Sequence, residues 1–175
     1  MSSPGFVHLR LHSEYSIADG TLRIDDAVAA AAADRMPALA LTDLANQFGL
    51  IKFYTAARAR GIKPIAGCDI WIANDKEPEQ SSRALLLVAS RDGYLRLCDW
   101  LSRAYLTHQH RGRAQFDRAW FREGTQGLIA LSLFALGIVG CSKREVGCSE
   151  ACTIESFTVP TGSTKGDFNS LRTSA

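Results

Sequence analysis

Short apolar stretches alternate with longer helix-forming stretches over most of this 175-residue chain. The apolar stretches alternate with polar residues or form short continuous runs, which predicts β-strands. The stretches between them are rich in alanine or have apolar residues at helical spacing, which predicts helices. We predict strands at residues 6–12, 38–43, 63–73, 84–90 and 127–132, and helices at residues 24–36, 49–61 and 94–106. This alternation indicates an α/β fold built on a mostly parallel sheet or a β/α barrel.

The length and the hydrophobic content of 46% suit one domain with one sizeable core. We assign that domain to residues 1–132, with a polar surface loop at residues 74–83. After Ser132 the chain loses helix and strand periodicity and ends in Ser, Thr and Gly. We therefore expect residues 133–175 to form a poorly ordered tail.

Charge and hydropathy point away from several classes of protein. A formal net charge of +2 does not by itself indicate a nucleic-acid-binding protein. No apolar run reaches the roughly 18 residues that a membrane span needs, and the first residues do not resemble a secretion signal. Five cysteines are an odd number for a disulfide framework. We expect a cytoplasmic protein that does not bind membranes.

Four polar residues follow or end predicted strands and could converge. His12, Asp43 and Asp69 fall at or near strand ends, and Asp19 lies in the loop after the first strand. In a parallel barrel such positions meet at one edge. Their mixture of nitrogen and oxygen suits zinc, manganese or iron. An Asp just after a strand is also common as a turn or helix-cap residue, so a purely structural role stays open.

A second polar stretch, THQHRGRAQF at residues 107–116, is cationic. It contains His108, His110, Arg111 and Arg113, which would repel a metal and could contact a phosphate backbone. A solvated loop is the more common structure for such a stretch. The tryptophans at positions 71, 100 and 120 occupy apolar patterns and are predicted to be core or partly buried.

The stretches FVHLRLHSEYSIADG, MPALALTDLANQFGLIKFYTAARARGIKPIAGCDIWIA and GLIALS closely resemble a known family in order and spacing. That family comprises the N-terminal polymerase-and-histidinol-phosphatase (PHP) domains of bacterial DNA polymerase III alpha subunits. The resemblance spans residues 5–132 and implies a PHP-type β/α barrel. It also implies that the polymerase active site and further barrel strands would lie beyond residue 175, so the chain is expected to be a truncated form.

The sequence departs from the metal-competent members of this family, which resemble H-L-H-x-H, T-D-H and G-C-E at three sites. Arg10 stands in place of the middle histidine, Leu44 in place of the histidine of T-D-H, and Asp69 in place of the glutamate. Arg83 stands where a fourth ligand, a histidine, would be. A guanidinium about 4 Å from a divalent ion costs about 8 kcal/mol at an effective dielectric constant of about 20. We therefore expect Arg10, His12, Asp19, Asp43, Leu44, Asp69 and Arg83 to be vestigial metal-site positions, with Arg10 hydrogen-bonded to the remaining carboxylates.

The degraded site resembles that of the proteobacterial type, in which proofreading belongs to a separate epsilon exonuclease subunit. The resemblance then implies a scaffold that docks epsilon within the polymerase III holoenzyme, with no catalytic residue and no cofactor in this chain. It implies Mg²⁺ for the full polymerase, which would contact DNA through segments outside this chain. The alternative is an active metal-dependent PHP phosphoesterase or 3′–5′ exonuclease, which would use His8, His12 and the acids to hold zinc or manganese.

Overall fold

The computed structural model describes residues 5–17, 19–74 and 81–132. Within these residues, three α-helices pack against a six-stranded sheet. The helices are α1 (Ile24–Ala33), α2 (Leu50–Ala59) and α3 (Arg91–Thr107). The strands are β1 (Ala38–Leu41), β2 (Lys63–Ile72), β3 (Ser82–Val88), β4 (Gln109–His110), β5 (Arg113–Phe116) and β6 (Leu128–Ser132). Two short 3₁₀ helices span Glu14–Ser16 and Arg118–Arg122.

The sheet is mixed in strand direction. Its order is β4, β5, β2, β3 and β6, and β1 pairs with the first half of β2. The β1–β2 and β2–β5 pairs are parallel, whereas the β2–β3, β3–β6 and β4–β5 pairs are antiparallel. The predicted α/β class with parallel pairing is confirmed. The β2–β3 pair is antiparallel because residues 73–81 between these strands are too few for the crossover that a parallel pair requires.

The helices begin where their sequences supply suitable polar groups. Asp25 and Asp26 lie in the first turn of α1, where carboxylates interact favourably with the exposed N–H groups. At the start of α3, the Ser90 hydroxyl accepts a hydrogen bond from the Gly93 N–H at 3.3 Å. The acidic first turn of α1 and the serine cap of α3 favour helix starts within a few residues of the predicted ones.

The helices and the sheet enclose two main apolar clusters among the described residues. One cluster lies around α3 and the ends of β2, β3 and β5, and includes the buried Trp100 and Trp120 as predicted. A second cluster joins α1, α2 and β1 around Phe53 and Leu39. Cys68 is fully buried in the first cluster, and its burial raises the pKa of the thiol, so it packs as a small apolar residue.

The first predicted strand, residues 6–12, is irregular. The His8 carbonyl accepts from the Ala40 N–H at 3.0 Å, and the Leu11 carbonyl accepts from the Thr42 N–H at 2.9 Å. From His8 to Leu11 the segment advances three residues, whereas from Ala40 to Thr42 the neighbouring chain advances only two. The two segments are therefore out of step, and a regular strand ladder does not form. The prediction of a strand is wrong in this respect, although the segment does lie beside β1.

The prediction of a solvated loop at residues 107–116 is wrong. Gln109–His110 and Arg113–Phe116 form an antiparallel hairpin, and β5 joins the main sheet beside the end of β2. Arg111 and Gly112 occupy the turn with φ of 49° and 76°, as a tight two-residue hairpin turn requires. The apolar face of β5 is formed by Ala114 and Phe116, both of which are buried.

Two further predictions concern membranes and the tail. No helix in the part of the chain that the structure describes is long and apolar enough to cross a membrane. The predicted tail at residues 133–175 lies outside the described residues.

Candidate functional site beside strand β2

The site is built around Asp69, which lies inside β2 and whose side chain is 0% exposed. Arg10, from the segment beside β1, donates from Nε and Nη2 to Asp69 Oδ2 at 3.0 and 2.8 Å. The Arg10 side chain remains 44% exposed, so its guanidinium covers the carboxylate at the surface of the sheet. The predicted hydrogen bond from Arg10 to a carboxylate is present, with Asp69 as its acceptor.

A second guanidinium binds the same carboxylate from the neighbouring strand. β3 runs antiparallel to β2 with Trp71 opposite Arg83, which brings Arg83 to the sheet face that carries Asp69. Arg83 donates from Nε to Asp69 Oδ1 at 3.2 Å and from Nη2 to Oδ2 at 2.7 Å. Its Nη1 donates to Asp19 Oδ2 at 3.3 Å. Arg83 thereby joins the two carboxylates.

His12 completes the cluster. Its Nε2 lies 3.0 Å from Asp69 Oδ2, and because an ionised carboxylate can only accept, Nε2 carries the proton in this contact. Its Nδ1 lies 4.0 Å from Asp19 Oδ2. Arg10, His12 and Asp19 line an open cleft of about 370 Å³.

The electrostatics of Asp69 follow from these contacts. Burial by itself raises the pKa of this carboxyl group, but the hydrogen bonds from His12, Arg83 and Arg10 outweigh burial and lower the pKa below its usual range. Two guanidinium groups therefore neutralise the two carboxylates of Asp69 and Asp19.

The Asp43 carboxylate has partners other than those of this cluster, although the Asp43 carbonyl accepts from the Asp69 N–H at 3.1 Å. The Asp43 Oδ1 accepts from the Ser13 N–H at 2.6 Å and from the Ser16 hydroxyl at 2.7 Å, and the Ser13 hydroxyl lies within 2.9 Å of both carboxylate oxygens. Ser16 also accepts from the Leu44 N–H at 3.0 Å. Asp43 therefore fastens the 3₁₀ turn to the end of β1. The two serines were missed by sequence reasoning, although Ser13 also caps the 3₁₀ turn and a serine before a turn is a recognisable signal.

Leu44 and His8 complete the set of predicted positions. Leu44 forms an isolated parallel bridge to Asp69, so its side-chain position adjoins the cluster but supplies no lone pair. His8 is exposed and packs edge-to-face against Phe6 at a ring distance of 4.6 Å. Of the four residues predicted to converge, the structure brings the side chains of His12, Asp19 and Asp69 together, whereas Asp43 adjoins Asp69 through its backbone and its carboxylate is bound by serines.

These residues do not fit the divalent ions that metal-competent family members hold. The central carboxylate already accepts from two guanidinium groups, and their positive charge opposes a cation at the same place. Across residues 5–17, 19–74 and 81–132, no group of three or more His, Cys, Asp or Glu side chains is arranged to hold a metal ion.

Comparison with known families identifies the family to which the chain belongs. The PHP domain family matches residues 8–153, which includes the cluster and continues past Ser132. The chain therefore belongs to the PHP domain family, as its motifs predicted.

Within this family, the chain is similar to the alpha subunits of bacterial DNA polymerase III. The DNA polymerase III subunit alpha of Pseudomonas aeruginosa is 44% identical over 77% of the chain, and that of Neisseria meningitidis serogroup B is 42% identical over 80%. That of Escherichia coli K12 is 43% identical over 81% of the chain. The matched region spans 12% of the length of each of these relatives.

Two solved structures match part of the fold. An amidohydrolase from Chromobacterium violaceum with bound sulfate and no metal is 26% identical, with a TM-score of 0.46 over 56% of this chain and 32% of that one. A putative metal-dependent phosphoesterase from Bifidobacterium adolescentis is 15% identical, with a TM-score of 0.42 over 56% of this chain and 32% of that one.

Proposed function

We propose that this chain is the PHP domain of a replicative DNA polymerase III alpha subunit in which arginines have replaced the metal centre. The domain acts as a metal-free scaffold and as a docking site for the proofreading exonuclease subunit, epsilon. The observation that carries the proposal is the pair of guanidinium groups, from Arg10 and Arg83, on the buried carboxylate of Asp69.

The chemistry of the cluster supports a structural role. A metal-dependent phosphoesterase needs ions that bind and activate water, and each ion needs several lone pairs directed at one point. Here the guanidinium groups take up the lone pairs of Asp69, and position 44 is a leucine. The same bonds join the N-terminal segment, β2 and β3, which stabilises this part of the fold.

The remaining parts of the proposal rest on the relatives. Their name supports membership of a polymerase III holoenzyme in the cytoplasm. Nucleotidyl transfer, its Mg²⁺ and most DNA contacts belong to the other parts of such a subunit.

Metal analysis tests the inactive centre. The purified chain, dialysed against zinc or manganese and then against buffer, is expected to hold far less than one ion per chain by mass spectrometry. The matched variant carries Arg10→His, Leu44→His, Asp69→Glu and Arg83→His, which removes two positive charges and adds three imidazoles. It is expected to gain metal affinity. A stoichiometric, chelator-removable ion in the parent, together with phosphodiester cleavage, would support the alternative PHP phosphoesterase or exonuclease.

Docking is tested separately. The chain is titrated with the purified epsilon subunit from the same organism and followed by sedimentation velocity. A complex is expected to form equally well with and without chelator, because no metal takes part. If no complex forms with a chain whose circular dichroism shows that it is folded, the docking role is wrong.

A further inference from the structure

Three side chains form a row across one face of the sheet, next to the Asp69 cluster. β2 lies between β3 and β5, and Trp71 of β2 is opposite Arg83 of β3 and Gln115 of β5. The guanidinium carbon of Arg83 lies 4.8 Å from the Trp71 ring centroid, and that of Arg113 lies 5.0 Å from it. Both distances are within the range of cation–π contacts. Asp69 and Trp71 are two residues apart in β2 and therefore share a face of the sheet. Because Arg10 is hydrogen-bonded to Asp69, it extends the row on that face. We call Arg10, Arg83, Trp71 and Arg113 the cationic row.

The charges of the row are unequally compensated. Arg83 is paired with Asp69 and Asp19, and Arg10 is paired with Asp69. Arg113 is exposed, and no carboxylate of the described residues lies within 4.0 Å of its nitrogens. The Nη1 of the half-exposed Arg10 has no hydrogen-bond partner in the described part of the chain. The row therefore offers two exposed guanidinium groups with unused donors.

Trp71 gives Arg113 a defined position. A guanidinium stacked on an aromatic ring loses little solvation and keeps its N–H groups at its rim, where they can bind an oxyanion in a bidentate manner. Holding the side chain in place before binding also reduces the entropy lost when a ligand binds. Arg113 begins β5, directly after the tight turn at Arg111 and Gly112, so its backbone is fixed as well.

We propose that the cationic row binds the phosphodiester backbone of a nucleic acid, with Arg113 and Arg10 as the contacting residues and Trp71 as the residue that positions Arg113. The row runs over β5, β2 and β3 and continues to Arg10 on the segment beside β1, and such an extended arrangement suits a polymer with regularly repeated charges. The choice of a nucleic acid over an acidic protein rests on the proposed polymerase function. Backbone contacts of this kind are independent of base sequence.

The test uses the full 175-residue chain and two fluorescently labelled DNA probes, one single-stranded and one duplex, both of mixed sequence. Fluorescence anisotropy is measured between about 20 and 200 mM salt, where counterion release sets the salt dependence. With two phosphate contacts, the logarithm of the binding constant is expected to fall with a slope of about −1.4 on single strands and about −1.8 on duplex. Arg113→Ala is expected to weaken binding to every sequence and to reduce the size of the slope by about one contact.

Two further variants make the result specific. Arg113→Lys keeps the charge and is expected to retain the slope while binding more weakly, because a lysine lacks the planar group that stacks on Trp71. Arg58→Ala removes the same charge from an exposed position of α2 and is expected to bind like the parent. Circular dichroism confirms that each variant is folded.

Several results would overturn the proposal. One is undetectable binding at about 20 mM salt with protein at about 10⁻⁴ M, the weak end of ordinary non-specific affinity. Another is an equal effect of Arg113→Ala and Arg58→Ala. Displacement of the DNA by polyglutamate at an equal concentration of charge would instead indicate an acidic protein partner. All three results leave the metal and epsilon tests of the proposed function unaffected.

Discussion

At the scale of single residues, the molecule is best understood from Asp69. One of its oxygens accepts from four donors, on Arg10, His12 and Arg83. A carboxylate buried without partners is strongly destabilising, so these residues are required once Asp69 is ionised. The arginines therefore compensate the charge of this buried carboxylate.

Replacing Arg10 with alanine is expected to destabilise the fold without creating a metal site. Asp69 keeps Arg83 and His12, so the loss should be about 1–3 kcal/mol, as for a hydrogen bond to a charged group. Urea unfolding of the full chain measures it. The control is Arg58→Ala on the exposed face of α2, which is expected to change stability by less than about 0.5 kcal/mol. If both variants unfold alike, Arg10 is an ordinary surface residue.

The stability of the protein is expected to depend on pH through Asp69. Its pKa is lowered in the folded state by His12, Arg83 and Arg10, despite the opposing effect of burial. The unfolded chain therefore binds this proton more readily, and the stabilisation is present above about pH 4 and is lost as the pH falls through the folded pKa.

Asp69→Asn isolates this contribution. At neutral pH it leaves Arg10 without a countercharge among the described residues and Arg83 paired only with Asp19, so the variant should be less stable than the parent by about 1.5–3 kcal/mol, as for hydrogen bonds to charged groups. The difference should shrink as the pH falls below about 4, because the unfolded parent takes up its proton there, while the folded parent does so only at its lower pKa. Urea titrations of both proteins from neutral to acidic pH test this, and a constant difference would contradict it.

At the scale of elements, the start of α3 lies directly against the backbone that precedes β6. Gly127 has φ of 80°, and its carbonyl accepts from the Ala89 and Ser90 N–H groups at 2.8 and 3.3 Å. A side chain at Gly93, in the first turn of α3, would overlap that carbonyl. Two glycines therefore allow the start of the helix to contact the backbone before β6.

Gly93→Ala is expected to destabilise the protein, although alanine normally favours a helix over glycine by about 1 kcal/mol. The overlap with the Gly127 backbone cannot be relieved by a rotamer change, so a net loss of about 1–3 kcal/mol is expected. Thermal unfolding measures it. Gly61→Ala is the comparison, since Gly61 has φ of 74° and open space around it, and it reports the cost of positive φ without a clash. Stabilisation by Gly93→Ala would show that this contact is loose.

At the scale of the whole molecule, the two faces of the sheet differ. One face of β2, β3, β5 and β6 packs against α3. The other face carries the Asp69 cluster and the cationic row, and it ends at β6, which pairs only with β3 among the described residues. Ile129 and Leu131 on this face of β6 are each 38% exposed. An edge strand with exposed apolar side chains tends to associate with other chains.

The purified chain is accordingly expected to self-associate as its concentration rises, and Leu131→Lys is expected to reduce this. A charge on the edge strand opposes pairing between chains. Light scattering coupled to gel filtration measures the mass. Leu106→Lys makes the same change on α3, where the side chain is 83% exposed, and should not alter association. A monomer at all concentrations would show that the β6 edge is protected.

Much of the fold follows from local sequence patterns. The three helices and the strands at residues 38–41, 63–72, 82–88 and 128–132 were predictable because periodicity and caps act within a few residues. The hairpin at residues 109–116 was not, because its polar residues match a loop locally, and it becomes two strands through its turn and by pairing with β2. The antiparallel direction of β3 and β6 likewise was not predictable, because residues 89–127 between them are long enough for either direction.

In the candidate site, too, some features follow from the sequence and others only from the tertiary structure. The sequence determined its chemical groups: Arg10 and Arg83 supply positive charge, and Leu44 supplies no lone pair. Only the tertiary structure decided which carboxylate those arginines bind, that Asp43 is held by serines instead, and that Trp71 lies between Arg83 and Arg113. Arg10 and Asp69 are 59 positions apart in the chain, and hydrogen bonds over such separations are set by strand pairing and register, which no local pattern contains.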